Sequence, residues 1–115
     1  FFGENLGWRL ETIVYLELLR RKAGTENDIY YYQGRSAEAD FVVCDGNKTL
    51  AVYQVSYDIS NEKTRKREVK GCIAGAKATK CDNLFLITDH ESEVIEEDGY
   101  TIQVVPIWEW LTKDA

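Results

Sequence analysis

The segment TLAVYQVSYDI, residues 49–59, is followed by NEKTRKREVKGCIAGAKATK at 61–80 and by NLFLIT at 83–88. The first is a β-branched and aromatic run of the kind that fits a pleated, half-buried surface. In the second, Val69, Cys72, Ile73 and Ala76 fall at i, i+3, i+4 and i+7, which predicts a helix over residues 61–80. The third is a compact apolar run between polar flanks and reads as a buried strand. Strand, helix and buried strand in that order build a βαβ crossover to a parallel neighbour. Gly71 and Gly75 each cost a helix about 1 kcal/mol against alanine, so they predict close packing of this helix on the sheet.

Working outward, residues 39–44 (ADFVVC) form a strand-like run ending at Asp45-Gly46, a strong hairpin signal. Residues 28–33 (DIYYYQ) form another, bounded by Gly24 and Gly34. Three short, closely spaced strands predict an antiparallel meander. Before them, residues 6–22 read as a helix with Leu6, Leu10, Ile13, Val14 and Leu18 on its apolar stripe, widened by Leu16 and Leu19. Arg20, Arg21 and Lys22 suit the negative end of its dipole, and Gly24 is a stop. Toward the other end, an acidic stretch from Asp89 to Asp98 leads through an Asp98-Gly99 turn to a last strand over 101–105. Pro106 then opens a terminal segment with Trp108, Trp110 and Leu111; strand alternation sends both tryptophans to one face, whereas a helix separates them by about 200°. The expected order is α-β-β-β-α-β-β-α, an α/β fold with a central mixed β-sheet flanked by helices.

The 115 residues are expected to make a single domain, residues 1–115, and their 44% hydrophobic and 30% charged composition is that of an ordinary globular protein. No apolar stretch approaches the roughly 20 residues of a membrane span, so no membrane partner is expected. Cys44, Cys72 and Cys81 are odd in number and lack CxxC spacing, which argues against a disulfide scaffold or zinc ribbon and predicts a cytoplasmic setting. His90 is the only histidine and no GxxxxGK[ST] is present, so neither a Ser/His/Asp triad nor a P-loop is encoded in these residues. The chain opens on Phe1-Phe2-Gly3 without an initiator methionine, which predicts a piece of a longer polypeptide.

Alternation through residues 49–59 turns Leu50, Val52, Gln54, Ser56 and Asp58 one way and Ala51, Tyr53, Val55, Tyr57 and Ile59 the other. Gln54 and Ser56 thus interrupt an apolar face, Asp40 opens the neighbouring strand, and Glu11 lies one turn before Tyr15 on the first helix. A carboxylate at a buried strand edge is costly unless it is paired or bound to a cation. A second feature is the basic run on the second helix. Lys63, Arg65, Lys66, Arg67, Lys70, Lys77 and Lys80 face only Glu62 and Glu68, a local +5 inside a chain of net charge -6. Screening acts over about 8–10 Å, so such a patch can attract phosphate despite the acidic average. A solvated helix face is the plainer reading of the same run.

A helix with Glu11, a strand opening on Asp40, a strand with Gln54-x-Ser56, then helix and strand, resembles the PD-(D/E)XK (restriction endonuclease-like) core. More closely, Gly7-x-x-x-Glu11, Leu16-x-Leu18-Leu19-Arg20-Arg21, Tyr30-Tyr31-Tyr32, Ala37-Glu38-Ala39-Asp40-Phe41-Val42, Tyr53-Gln54-Val55-Ser56-Tyr57, Thr64-Arg65-x-Arg67-Glu68 and Ile107-Trp108-x-Trp110-Leu111 resemble the domain of unknown function that follows the ATPase module in prokaryotic AAA+-type ATPases. That resemblance implies a C-terminal domain of a larger chain, with the N-terminal ATPase module as its partner. It also implies a catalytic set of Glu11, Asp40, Gln54 and Ser56, with Mg²⁺ as cofactor on Asp40, Gln54 and Glu11. The set is degenerate, since Gln54 stands for the second acid and Ser56 for the lysine. A glutamine carbonyl brings no charge to a metal, and a serine cannot supply a lysine's field.

Four roles therefore stay open. Asp40, Gln54 and Ser56 can form a satisfied polar network under the first helix. The domain can bind nucleic acid through Lys63, Arg65, Lys66, Arg67 and Lys70. It can be a protein-interaction or oligomerisation domain using the tyrosine run and the tryptophan tail, or a Mg²⁺-dependent nuclease.

Overall fold

The computed structural model describes residues 2–35 and 37–113. Among these the chain forms α1 (Phe2–Lys22), β1 (Asn27–Gln33), β2 (Glu38–Asp45), β3 (Lys48–Val55), α2 (Glu62–Thr79), β4 (Leu84–Thr88), β5 (Glu93–Glu97), β6 (Tyr100–Pro106) and α3 (Ile107–Thr112). The six strands make one mixed sheet in the order β1-β2-β3-β4-β6-β5. β1, β2 and β3 are the expected antiparallel meander, and β4 lies parallel to both β3 and β6. α2 is thus the crossover that its place between an antiparallel strand and NLFLIT predicts.

Local chemistry sets the ends of α2. The Asn61 side chain accepts a hydrogen bond from the Thr64 amide at 3.1 Å, capping the first turn. Lys80 closes the helix in the left-handed region at φ 58°, and the Cys81 amide returns to the Ala76 carbonyl at 3.1 Å. Gly71 and Gly75 work as their spacing predicts. A Cβ on Gly71 would strike the Glu38 carbonyl oxygen and come within 2.8 Å of Gln54 Nε2; one on Gly75 would lie 2.9 Å from Ala39 Cβ.

Two apolar clusters divide along the sheet. Under α2 sit Ala39, Val42, Val52, Val69, Cys72, Ile73, Ala76, Leu84, Leu86, Ile102 and Val104. On the opposite face α1 and α3 cover Ala51, Tyr53, Val55, Ile87 and Val105 with Leu10, Val14, Leu18 and Trp110. The short terminal helix separates the tryptophans as helical geometry requires, with Trp110 buried and Trp108 exposed.

Three expectations are corrected. The acidic stretch holds the extra strand β5, so three strands follow α2. Only Ile95 of β5 enters the core, which erased any alternation, and the hairpin to β6 turns on Asp98 (φ 53°) and Gly99 (φ 81°). On α1, Ile13 and Leu16 are exposed, because one helix face meets the sheet and Leu10, Val14 and Leu18 fill it. β3 ends at Val55, so the alternation predicted through Ile59 stops there and Ile59 crosses into the α2-side cluster.

Gly71→Ala is expected to destabilise the fold by about 1–3 kcal/mol, because the new methyl meets backbone that cannot move aside. Gly7→Ala has nothing within 4 Å and is expected to stabilise by roughly 0.5–1 kcal/mol through helix propensity. Urea unfolding midpoints of the two variants check both signs.

Candidate functional site

Asp40 stands where β2 meets β3, and its backbone amide donates to Gln54 Oε1 at 3.0 Å. Its own carboxylate Oδ2 accepts from the Val55 amide at 2.8 Å. The other end of the Gln54 carboxamide donates from Nε2 to the Glu38 carbonyl at 3.3 Å and to Glu68 Oε1 at 2.9 Å. Glu68 is buried on the sheet-facing side of α2, and its second oxygen meets the Arg67 guanidinium at 3.3 Å. One buried glutamine thus joins β2, β3 and α2, with both ends of its amide bonded inside the protein.

These groups line a cleft of about 560 Å³, with Glu11 on one wall and Arg35, Arg67 and Lys70 on its rim. Burial pushes the Asp40 carboxyl from 3.8 up to about 7, against the lowering effect of the Val55 amide, and the charges of Glu11, Glu68 and Glu38 push the same way. Glu11 is also raised, by burial first and by the charge of Glu68 second. Burial drives the neighbouring Cys72 thiol to about 12, with Glu68 and Asp40 adding to the effect, so it is an inert core group.

The structure brings Glu11, Asp40 and Gln54 to one cleft, and leaves Ser56 out of it. With β3 ended at Val55, the Ser56 hydroxyl donates instead to the Asp58 carbonyl at 3.3 Å, inside the following turn. The expected network therefore contains Asp40 and Gln54 but not Ser56, and its Gln54 side lies under α2 rather than α1. Sequence reasoning placed Glu68 in a family motif and in the charge count of the second helix, and missed its part in the site. Its signal was a carboxylate one turn before Cys72 on the apolar stripe of α2.

The residues do not fit a metal as they stand. Among the described residues, no three His, Cys, Asp or Glu side chains are grouped so as to hold an ion. Gln54 Oε1, the expected neutral ligand, already faces the Asp40 amide.

The basic run is also rearranged by folding. Arg65 makes a two-pronged ion pair with Glu93 of β5, both contacts 2.8 Å, and Lys77 reaches Asp98 at 2.7 Å. Arg67 turns to Glu68, and Lys66 is 4.0 Å from Glu62. Lys63 and Lys70 are exposed and have no ion-pair partner among the described residues. Of the five candidate phosphate contacts, two arginines are thus drawn to carboxylates and three lysines remain open to solvent. No helix among the described residues is long and apolar enough to cross a membrane.

The family described as "Domain of unknown function (DUF4143)" matches residues 6–110. The uncharacterized protein MJ1544 of Methanocaldococcus jannaschii is 34% identical over 115 aligned residues, which cover 95% of this chain and 25% of the archaeal protein. Among solved structures, a chain of the refined half-complex from the tetradecameric assembly of Thermococcus gammatolerans McrB AAA+ hexamers with bound McrC has the same fold. It superposes with a TM-score of 0.55 at 13% identity, covering 86% of this chain and 27% of that one. The present chain therefore spans about a quarter of the length of each.

Replacing Asp40 tests the electrostatics. A carboxyl whose folded pKa is raised contributes stability that is fully present below its ordinary 3.8 and lost as the pH climbs to about 7. Asp40→Asn keeps an oxygen for the Val55 amide and cannot ionise. Relative to this variant, the unsubstituted protein is expected to lose stability on the order of a few kcal/mol across that window. Urea melts from acid to neutral pH measure the difference; parallel profiles for the two proteins would contradict it.

Proposed function

The chain belongs to the DUF4143 family, and from that premise we propose that it is a C-terminal accessory domain of an AAA+-type ATPase whose nuclease-like site serves as a structural network. One observation carries the reading: Gln54 spends its carbonyl on the Asp40 amide and its amino group on Glu38 and Glu68. A side chain bonded at both ends tightens three elements and leaves a single carbonyl lone pair for any substrate. The likeness in fold to a chain from an assembly of AAA+ hexamers supports the association with an ATPase, and the relative's fourfold greater length leaves room for such a module.

In this reading the ATP chemistry belongs to the other part of the chain, and the present residues position a macromolecular partner for it. A nucleic-acid partner would meet α2 through Lys63, Lys66 and Lys70, whose ammonium groups remain open to solvent. Arg65 and Arg67 would contribute less, because a phosphate must first displace Glu93 or Glu68. A Mg²⁺-dependent nuclease is the second reading. It is favoured by Glu68, which brings a carboxylate from α2 to the place where β3 offers only Gln54, but it would require the carboxylates of the cleft to draw together around the ion.

Plasmid and single-stranded DNA are expected to survive incubation with the protein and Mg²⁺ or Mn²⁺. Cleavage that disappears in Asp40→Ala would establish the nuclease instead. Salt-dependent DNA binding is expected to weaken when Lys63, Lys66 and Lys70 are all changed to Glu. Arg65→Ala, which breaks a half-exposed ion pair, should mainly cost stability, by about 0.2–1 kcal/mol. Fluorescence anisotropy over a salt series reads the first effect and urea melts the second; no binding even at low salt would remove nucleic acid as the partner.

A further inference from the structure

The two helical layers are finished differently. α2 turns Lys63, Lys66, Arg67, Lys70 and Lys77 to solvent, and none of the large apolar side chains exposed among the described residues lies on it. Six of the nine lie on the opposite layer: Trp8, Ile13, Tyr15 and Leu16 of α1, and Trp108 and Leu111 of α3. Trp8, Leu16 and Trp108 are 68%, 58% and 63% exposed, and such side chains carry meaning where they gather on one face.

The helical period makes this a face rather than a scatter. At about 100° per residue, Trp8 and Leu16 fall within one side of α1, opposite the buried Leu10, Val14 and Leu18, while Tyr15 at the edge of that side stacks on Phe41 of β2 with ring centroids 5.7 Å apart. Thr12 sits in that stripe, and its hydroxyl donates to the Trp8 carbonyl at 3.0 Å. A helix apolar on two opposite sides is one that is covered on both. α1 and α3 are also held together as one layer. Glu17 holds Arg21 at 2.7 Å, and the Arg21 guanidinium lies 4.4 Å over the Trp110 ring while its Nη2 donates to the Trp110 carbonyl at 2.6 Å.

We propose that the outer face of the α1–α3 layer is the surface on which the remainder of the longer polypeptide docks, an intrachain interface with the ATPase part. The inference rests on the accessory-domain reading above and adds the surface and the partner. What selects this occupant is length: the fold fills 25% of one similar chain and 27% of another, so most of each such polypeptide lies outside it. The chemistry required of the docking part follows from the face. It must offer an apolar helix or sheet surface to Trp8, Leu16 and Trp108. It must also place a carboxylate near Arg9, which borders the stripe and has no ion-pair partner among the described residues.

The test uses the full-length polypeptide with the photo-reactive residue p-benzoylphenylalanine in place of Leu16, and separately in place of Lys66 on α2. Both positions are exposed, so neither replacement disturbs the core. Irradiation is expected to give an intrachain adduct from position 16, mapped by mass spectrometry to residues outside these 115, and none from position 66. An adduct joining two copies, an adduct only to another protein, or no adduct from position 16 would overturn the proposal. ATP hydrolysis by the same preparation separates the two readings. The intrachain adduct in a polypeptide that hydrolyses no ATP would keep the docking face and remove the ATPase association.

Discussion

The buried carboxamide of Gln54 is the interaction on which the arrangement of this molecule turns. It is reached by α2 only because Gly71 has no side chain where the helix crosses the Glu38 carbonyl and the glutamine itself. Its three bonds reach two other elements: two go to the start of β2, through the Asp40 amide and Glu38 carbonyl, and one to α2 through Glu68. A neutral amide suits this place better than a carboxylate. It can donate to Glu68 and accept from a backbone amide at once, whereas a second acid beside Glu68 would need a cation or a proton.

That choice shapes the electrostatics around it. Asp40 and Glu11 share the cleft with Glu68, and burial together with like charge raises both, Asp40 to about 7. Glu68 also holds Arg67 on the rim. On the outer side of α2 the acidic hairpin β5–β6 plays the corresponding part, with Glu93 and Asp98 taking Arg65 and Lys77. The net charge of -6 is therefore neither a uniformly repelling surface nor two separate patches. It is a basic helix partly neutralised by acids that are distant in sequence and adjacent in space.

Much of the fold could be read from local pattern. The stripe in residues 61–80 and the apolar run NLFLIT are strong signals, and their order forces the crossover. β5 was hidden because a strand at the sheet edge buries one residue and leaves its carboxylates in water, so its sequence looks like an acidic loop. The candidate site was half legible. Asp40, Gln54 and Glu11 stand out as polar groups in apolar surroundings and do come together. Ser56 was misplaced because strict alternation assumes that a strand continues, and β3 ends one residue before it. Glu68 was hidden inside a charge run, where its place one turn before Cys72 on the apolar stripe was the only local sign of burial.

The sequence by itself determined the types of every element but β5, the crossover, the close approach at the two helical glycines and most of the residues that could do polar chemistry. All of these depend on near neighbours: periodicity, turn geometry and the absence of a Cβ. Only the tertiary structure decided what the polar residues bond to. Partner choice depends on which strands end where and on which helix face meets the sheet, contacts between residues far apart in the chain. It turned Gln54 inward as a fastener, drew Arg65 to a hairpin 28 residues on, and left large apolar side chains exposed on one helical layer and none among the described residues of the other.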